Sequence, residues 1–156
     1  MKVTEGIALE HATLLRVFDQ VERVLPRLRS AAEVGTLATI LAGLLRTHAE
    51  LEFKFALMGV DDATHHKRRL AALHQERREL NERLREVQEA PTCARASGLL
   101  RAAMGTAREH FRDEERNLFP AVERALGLGV LAALGEAFKK ATRVKANGAE
   151  QAAPGL

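Results

Sequence analysis

From residue 5 to residue 126 apolar side chains recur at steps of three and four, and a chain patterned that way must wind into helices that each bury one stripe. Four segments follow. The first, about 5–27, aligns Ile7, Leu14, Phe18, Val21 and Leu25, with Thr4 expected as N-cap and Pro26 at its end. The second, about 33–58, carries Leu37, Ile40, Leu41, Leu44, Leu45, Leu51 and Phe55 and stops near Gly59, with Asp62 expected to cap the next. The third, about 62–89, shows Leu70, Leu73, Leu80, Leu84 and Val87 and runs out in "EAPTCARASG". The fourth, about 95–126, runs through Leu99, Leu100, Ala103, Ala107, Phe111 and Leu118, with Pro120 expected to kink or restart it.

Long amphipathic helices joined by short connections predict an all-α, up-down-up-down four-helix bundle. "LGLGVLAALGEAFKKATRV" adds a short fifth helix, so a single domain over 1–145 is expected, with 146–156 as a flexible tail. Composition narrows the function. The net charge is only +3, and the basic residues of "HHKRRLAALHQERRELNERLREV" alternate with glutamates at helical spacing, as on a solvated face, which argues against a nucleic-acid partner. No signal-like start or membrane-length apolar run is present, so no membrane partner and a cytoplasmic location are expected. The single cysteine, Cys93, has no internal partner for a disulfide and is expected to be inert.

The second segment breaks its apolar stripe with His48 and Glu52, and the fourth does the same with His110 and Glu114. Residues four apart are offset by about 40° and about 6 Å along a helix, so each pair can reach one centre. An ionised carboxylate in a dry core costs several kcal/mol, and two facing each other also repel, so a cation must neutralise them. His11 lies between Ile7 and Leu14, and His74 stands at the edge of the third stripe, so each helix offers a histidine. Counting back from the turn near residue 94 sets His110 and Glu114 opposite 74–78, and counting from a turn near 60 sets His48 and Glu52 opposite residue 70. The first count favours His74 over His66. Such a set can enclose two metal ions: imidazole suits iron, zinc or copper, and bridging carboxylates suit iron or manganese. Glu50, Asp113 and Glu115 are expected in solvated positions or behind a ligating histidine. The phenylalanines Phe18, Phe53, Phe55, Phe111 and Phe119 are candidates for the core and for an apolar wall around the metals.

"HFRDEERNLFP", residues 110–120, resembles the fourth-helix signature of the hemerythrin-like (HHE cation-binding) domains, and "HAELE", the early "LEH", "LHQERRELNERL" and the closing "LGEAFKKA" are similar to other parts of that family. The resemblance covers nearly the whole chain. It implies a non-haem centre of two iron ions in which Glu52 and Glu114 bridge, with His11, His48, His74 and His110 as terminal ligands. Oxygen-carrying hemerythrins have a further histidine four residues from the other on the third helix, where this chain has Leu70 and Arg78. They also have an aspartate five residues after the fourth-helix histidine, where this chain has Glu115. One iron is then short of a ligand, takes water, or recruits His65 or His66.

The function so implied is binding of dioxygen or a related small ligand, nitric oxide or peroxide, for transport, storage, sensing or detoxification. The same ligand set would serve an enzyme that turns over peroxide or nitric oxide. A metal-free four-helix signalling bundle of the histidine phosphotransfer type needs an exposed histidine, whereas most here fall on buried faces. A ferritin-like site is disfavoured because it uses Glu-x-x-His pairs, and this chain has His-x-x-x-Glu.

Overall fold

A computed structural model describes the backbone of residues 1–57 and 64–151 and the side chains of residues 1–55 and 71–143. The expected stops at Gly59 and Asp62, together with the side chains of His65 and His66, lie outside the described residues. Within them the chain is helical, with no strand. The helices are α1 (Val3–Val24), α2 (Ala31–Glu52), α3 (Thr64–Gln88), α4 (Cys93–Asp113), α5 (Phe119–Ala125) and α6 (Leu128–Gln151). A 3-10 turn, Leu25–Arg27, closes α1 at Pro26. Two π-helical turns, Phe53–Leu57 and Glu114–Leu118, continue α2 and α4.

The helix starts follow local hydrogen bonding. Ser30 caps α2: its hydroxyl accepts from the Glu33 amide at 3.2 Å, and the Glu33 carboxylate accepts from the Ser30 amide at 2.9 Å. Thr92 caps α4 through the Arg95 amide at 3.2 Å. Both helices therefore begin two residues before the apolar stripes that announce them. Thr4 does not cap α1; it lies inside the helix, 2% exposed, and its hydroxyl donates to Glu123 at 2.6 Å.

The core has two parts. Leu14, Phe18, Leu41, Leu45, Leu80, Leu84, Leu100 and Phe111 belong to one apolar cluster, and Ile7, Leu51, Leu73, Leu118, Val122, Leu131 and Phe138 to the other. Between Ile7 and Leu14, Leu45 and Leu51, Leu73 and Leu80, and Phe111 and Leu118, each of the four packed runs passes through a polar stretch, so a polar layer separates the clusters. Ile40 and Leu44 are 54% and 40% exposed, although the apolar stripe of α2 includes them. That stripe is wider than the surface its neighbours cover.

The fifth helix is long rather than short. At 24 residues α6 runs on past residue 145, where the tail was expected to begin, after the chain turns by 119° from the Cys93–Ala125 run. It packs against α1, and at Gly135 it meets the residues just before that helix, where an added Cβ would lie 2.1 Å from the Met1 carbonyl oxygen. Gly135→Ala is therefore expected to destabilise the fold by about 1–2 kcal/mol, overpacking outweighing the roughly 1 kcal/mol gained in helix propensity. Gly43→Ala, where nothing lies within 4 Å, should instead stabilise, and urea unfolding of both variants checks the contrast. No single helix among the described residues is long and apolar enough to cross a membrane.

Candidate metal centre

The polar layer is built from the two His-x-x-x-Glu pairs and His11. His11 and Glu52 are essentially inaccessible at 0% and 1% exposure, and so is Glu114 at 0%. Nε2 of His11 lies 3.1 Å from Nε2 of His48 and 3.3 Å from Oε2 of Glu114, and Nε2 of His110 lies 2.8 Å from Glu114 Oε1. These atoms form two overlapping groups, His11 with His48 and Glu114, and Glu52 with His110 and Glu114, each with its ligand atoms within 4.8 Å of one another. Glu114 alone belongs to both.

Each of the three histidines in this layer is held from behind by a carboxylate. His11 Nδ1 donates to Glu115 at 2.8 Å, His48 Nδ1 to Glu10 at 3.0 Å, and His110 Nδ1 to Glu76 at 2.7 Å. A carboxylate only accepts, so a proton sits on every Nδ1 and Nε2 is the atom turned inward, where the ring in its neutral form offers a lone pair. Glu115 was legible as such a residue. Glu10 and Glu76 were not, although Glu10 precedes His11 and Glu76 follows His74 by two.

Three buried carboxylate oxygens in this layer, Oε1 of Glu52 and both oxygens of Glu114, have no hydrogen-bond partner. Glu52 and Glu114 repel each other here, and a buried acceptor left unpaired costs about 1–3 kcal/mol or more. A cation set between them removes both penalties. The donor set of imidazole and carboxylate, with its orphaned oxygens, is of a kind that could hold a transition-metal ion.

His74 is not brought to the others. The face of α3 turned inward carries Leu73, Arg77 and Leu80, spaced four and three apart, and His74 is rotated about 100° from Leu73. It is half-buried, its ring 6.0 Å from that of Phe53. The place facing Glu52 is taken by Arg77, whose Nη2 donates to Glu52 Oε2. Sequence spacing gave no sign of Arg77.

The two π turns begin at or just after the two glutamates. In the fourth run the Phe119 amide bonds back to Glu114, five residues away, and Pro120 follows, having no amide to donate and a ring that crowds the preceding turn. The wide turn accommodates both. After Glu52, Phe53 falls off the buried stripe of α2 and is 42% exposed, while Phe55 remains in the core. Phe111 stacks on His11 with ring centroids 4.2 Å apart and meets His48 edge-on at 5.3 Å, and Phe119 lies parallel to His11 at 5.7 Å. These rings form the dry wall of the centre.

Burial, with repulsion from Glu114, pushes the Glu52 carboxyl up to about 8, while Glu114, opposed by burial but surrounded by His11 and His110, is held below the usual carboxylate range. His110 is raised to about 9: burial opposes its charge, but Glu114, Glu76 and Glu52 outweigh that. Burial lowers His48. Both raised groups hold a proton more tightly folded than unfolded, so their stabilisation is complete below the unfolded values and is lost as pH climbs. Between pH 6.5 and 9 the metal-free protein is expected to lose on the order of 3 kcal/mol of stability. The His48 shift acts in the opposite sense, below its ordinary value, and leaves that window untouched. Urea unfolding with a chelator present, at both ends of the window, tests the slope.

A buried cation site of histidines and carboxylates between helices defines the class. The chain belongs to the hemerythrin HHE cation-binding domain family, which it matches over residues 2–122. Comparisons with curated proteins and with solved structures returned no match.

Proposed function

We propose that the protein is a non-haem di-iron protein that binds dioxygen or a related small ligand, nitric oxide or peroxide, for transport, storage, sensing or detoxification in the cytoplasm. The observation that carries this reading is Glu114: fully buried, both oxygens without a hydrogen-bond partner, and shared by two ligand groups. His11, His48 and Glu114 would hold one iron, and Glu52, His110 and Glu114 the other. Bound iron supplies one-electron redox chemistry and affinity for diatomic ligands.

The remaining residues keep that chemistry contained. Glu115, Glu10 and Glu76 fix the imidazole tautomers, so every Nε2 stays aimed inward. Phe111 and Phe119 exclude bulk water from the His11 side. A groove of about 270 Å³, lined by His48, Phe53, Arg77, His110 and Phe111 among others, leads toward the centre and is sized for a small ligand. The up-down-up-down order is supported by three cross-contacts between α1 and the fourth run, Thr4 to Glu123, His11 to Glu115 and Arg108 to Glu22, whose numbers climb on one helix as they fall on the other. Gln88, at the end of α3, reaches Gly35 near the start of α2, as antiparallel neighbours do.

The test is metal content on protein purified without oxygen, with the visible spectrum followed as air and then azide are admitted. About two irons per chain with oxygen-dependent charge-transfer bands supports the reading. A stable spectrum after air points to carriage, and rapid bleaching with catalytic loss of peroxide points to an enzyme. A folded, colourless protein that cannot be loaded with iron sinks the proposal.

A further inference from the structure

We infer that Arg77 makes the two cation positions unequal by competing for Glu52, so that the position formed by His11, His48 and Glu114 fills first and the other fills only when Arg77 releases its carboxylate partner. The inference rests on the metal centre proposed above. It goes further by assigning a role to a residue outside both ligand groups.

Three observations converge. Arg77 Nη2 donates to Oε2 of Glu52, leaving only Oε1 of that carboxylate facing the centre without a partner. Glu52 enters one ligand group, with His110 and Glu114, while the group of His11, His48 and Glu114 is complete without it. Arg77 also has somewhere to go: its side chain is 16% exposed and lines both the groove beside His48 and Phe53 and a second one, of about 390 Å³, beside Glu76, Glu79 and Asp113.

The charges explain the competition. A guanidinium is always cationic, and it neutralises Glu52 where a metal ion otherwise would. A divalent ion held by Glu52 would sit close to that positive charge in a site with little water to screen it, so either the ion is weakened or the guanidinium swings away. Among the described residues the His11 and His48 side carries no such competitor: the residues behind its two imidazoles, Glu115 and Glu10, are both carboxylates.

Calorimetric titration of the full metal-free chain with zinc, and absorption titration with cobalt(II), read the two positions separately. The wild-type protein is expected to show one tight and one weaker step. Arg77→Gln keeps a donor for Glu52 but removes the charge, and should tighten the weaker step by about ten- to a hundredfold, the range in which neighbours of metal ligands act, while leaving the tight step unchanged. Arg77→Lys keeps the charge and should keep the two unequal steps. Equal steps in the wild type overturn the inference. So does loss of the second ion in Arg77→Gln, which would make Arg77 a residue that orients Glu52 for metal. A normal first step with an unaltered second step in Arg77→Gln also overturns it and leaves the metal centre standing. Absence of any uptake by all three proteins overturns the metal centre and this inference together.

Discussion

Glu114→Gln is expected to abolish tight uptake of both cations, whereas Glu52→Gln should spare one. The amide has nearly the shape of the carboxylate but carries no charge, and Glu114 is the one side chain common to both ligand groups. Loss of about a thousandfold in affinity, or about 4 kcal/mol, is the expected scale for removing a buried charge on which opposite charges depend. A second readout follows from linkage: a ligand at a thousand times its dissociation constant stabilises the fold by about 4 kcal/mol. Thermal unfolding with and without added metal should therefore show a large upward shift in the wild type, a smaller one in Glu52→Gln and none in Glu114→Gln. An undiminished shift in Glu114→Gln would place the cations elsewhere.

Phe111→Ala is the substitution expected to cost most in stability, about 3–5 kcal/mol. Phe111 is 2% exposed and in one place packs against His11, His48 and Phe18, the last with ring centroids 6.2 Å apart. Truncation to Ala leaves a cavity whose floor is the imidazole pair, and a cavity with polar partners admits water. The variant should thus lose both folding stability, read by urea unfolding, and metal affinity, read by titration. Phe111→Leu keeps most of the volume and should lose much less of either. Equal losses in the two would mean that aromatic stacking on His11, rather than filled space, is what matters.

The existence of the helices and the inward placement of His11, His48, Glu52, His110 and Glu114 were legible because both follow from spacing within single helices. What lay between helices was not. Setting α3 against α2 depends on the connection across residues 58–63 and on the widened turn after Glu52; counting toward a turn near residue 60 sets the His48 and Glu52 pair opposite residue 70, yet Glu52 meets Arg77. The same uncertainty hid the choice of inward face on α3, which turns Leu73, Arg77 and Leu80 to the core and leaves His74 beside Phe53. Phe53 reads as a core candidate because it is aromatic, although it stands outside the apolar stripe of α2 and is 42% exposed. Glu10 and Glu76 look like surface acids in a charged sequence. Only the position of a neighbouring helix makes each the support of a particular histidine.

The polar layer between the two apolar clusters also bears on how substitutions combine. Effects of distant, independent sites add, and those of sites that share partners do not. In the metal-free protein a truncation at Leu84, in the first cluster, and one at Val122, in the second, share no packing neighbour across the layer and should sum. A cation held jointly by His11, His48, Glu114, His110 and Glu52 ties the two halves into one cooperative unit, because loosening either half then forfeits the same bound ion. The coupling energy between such remote pairs, near zero without metal and finite with it, would make cooperativity of the fold a property of the ion rather than of the side chains.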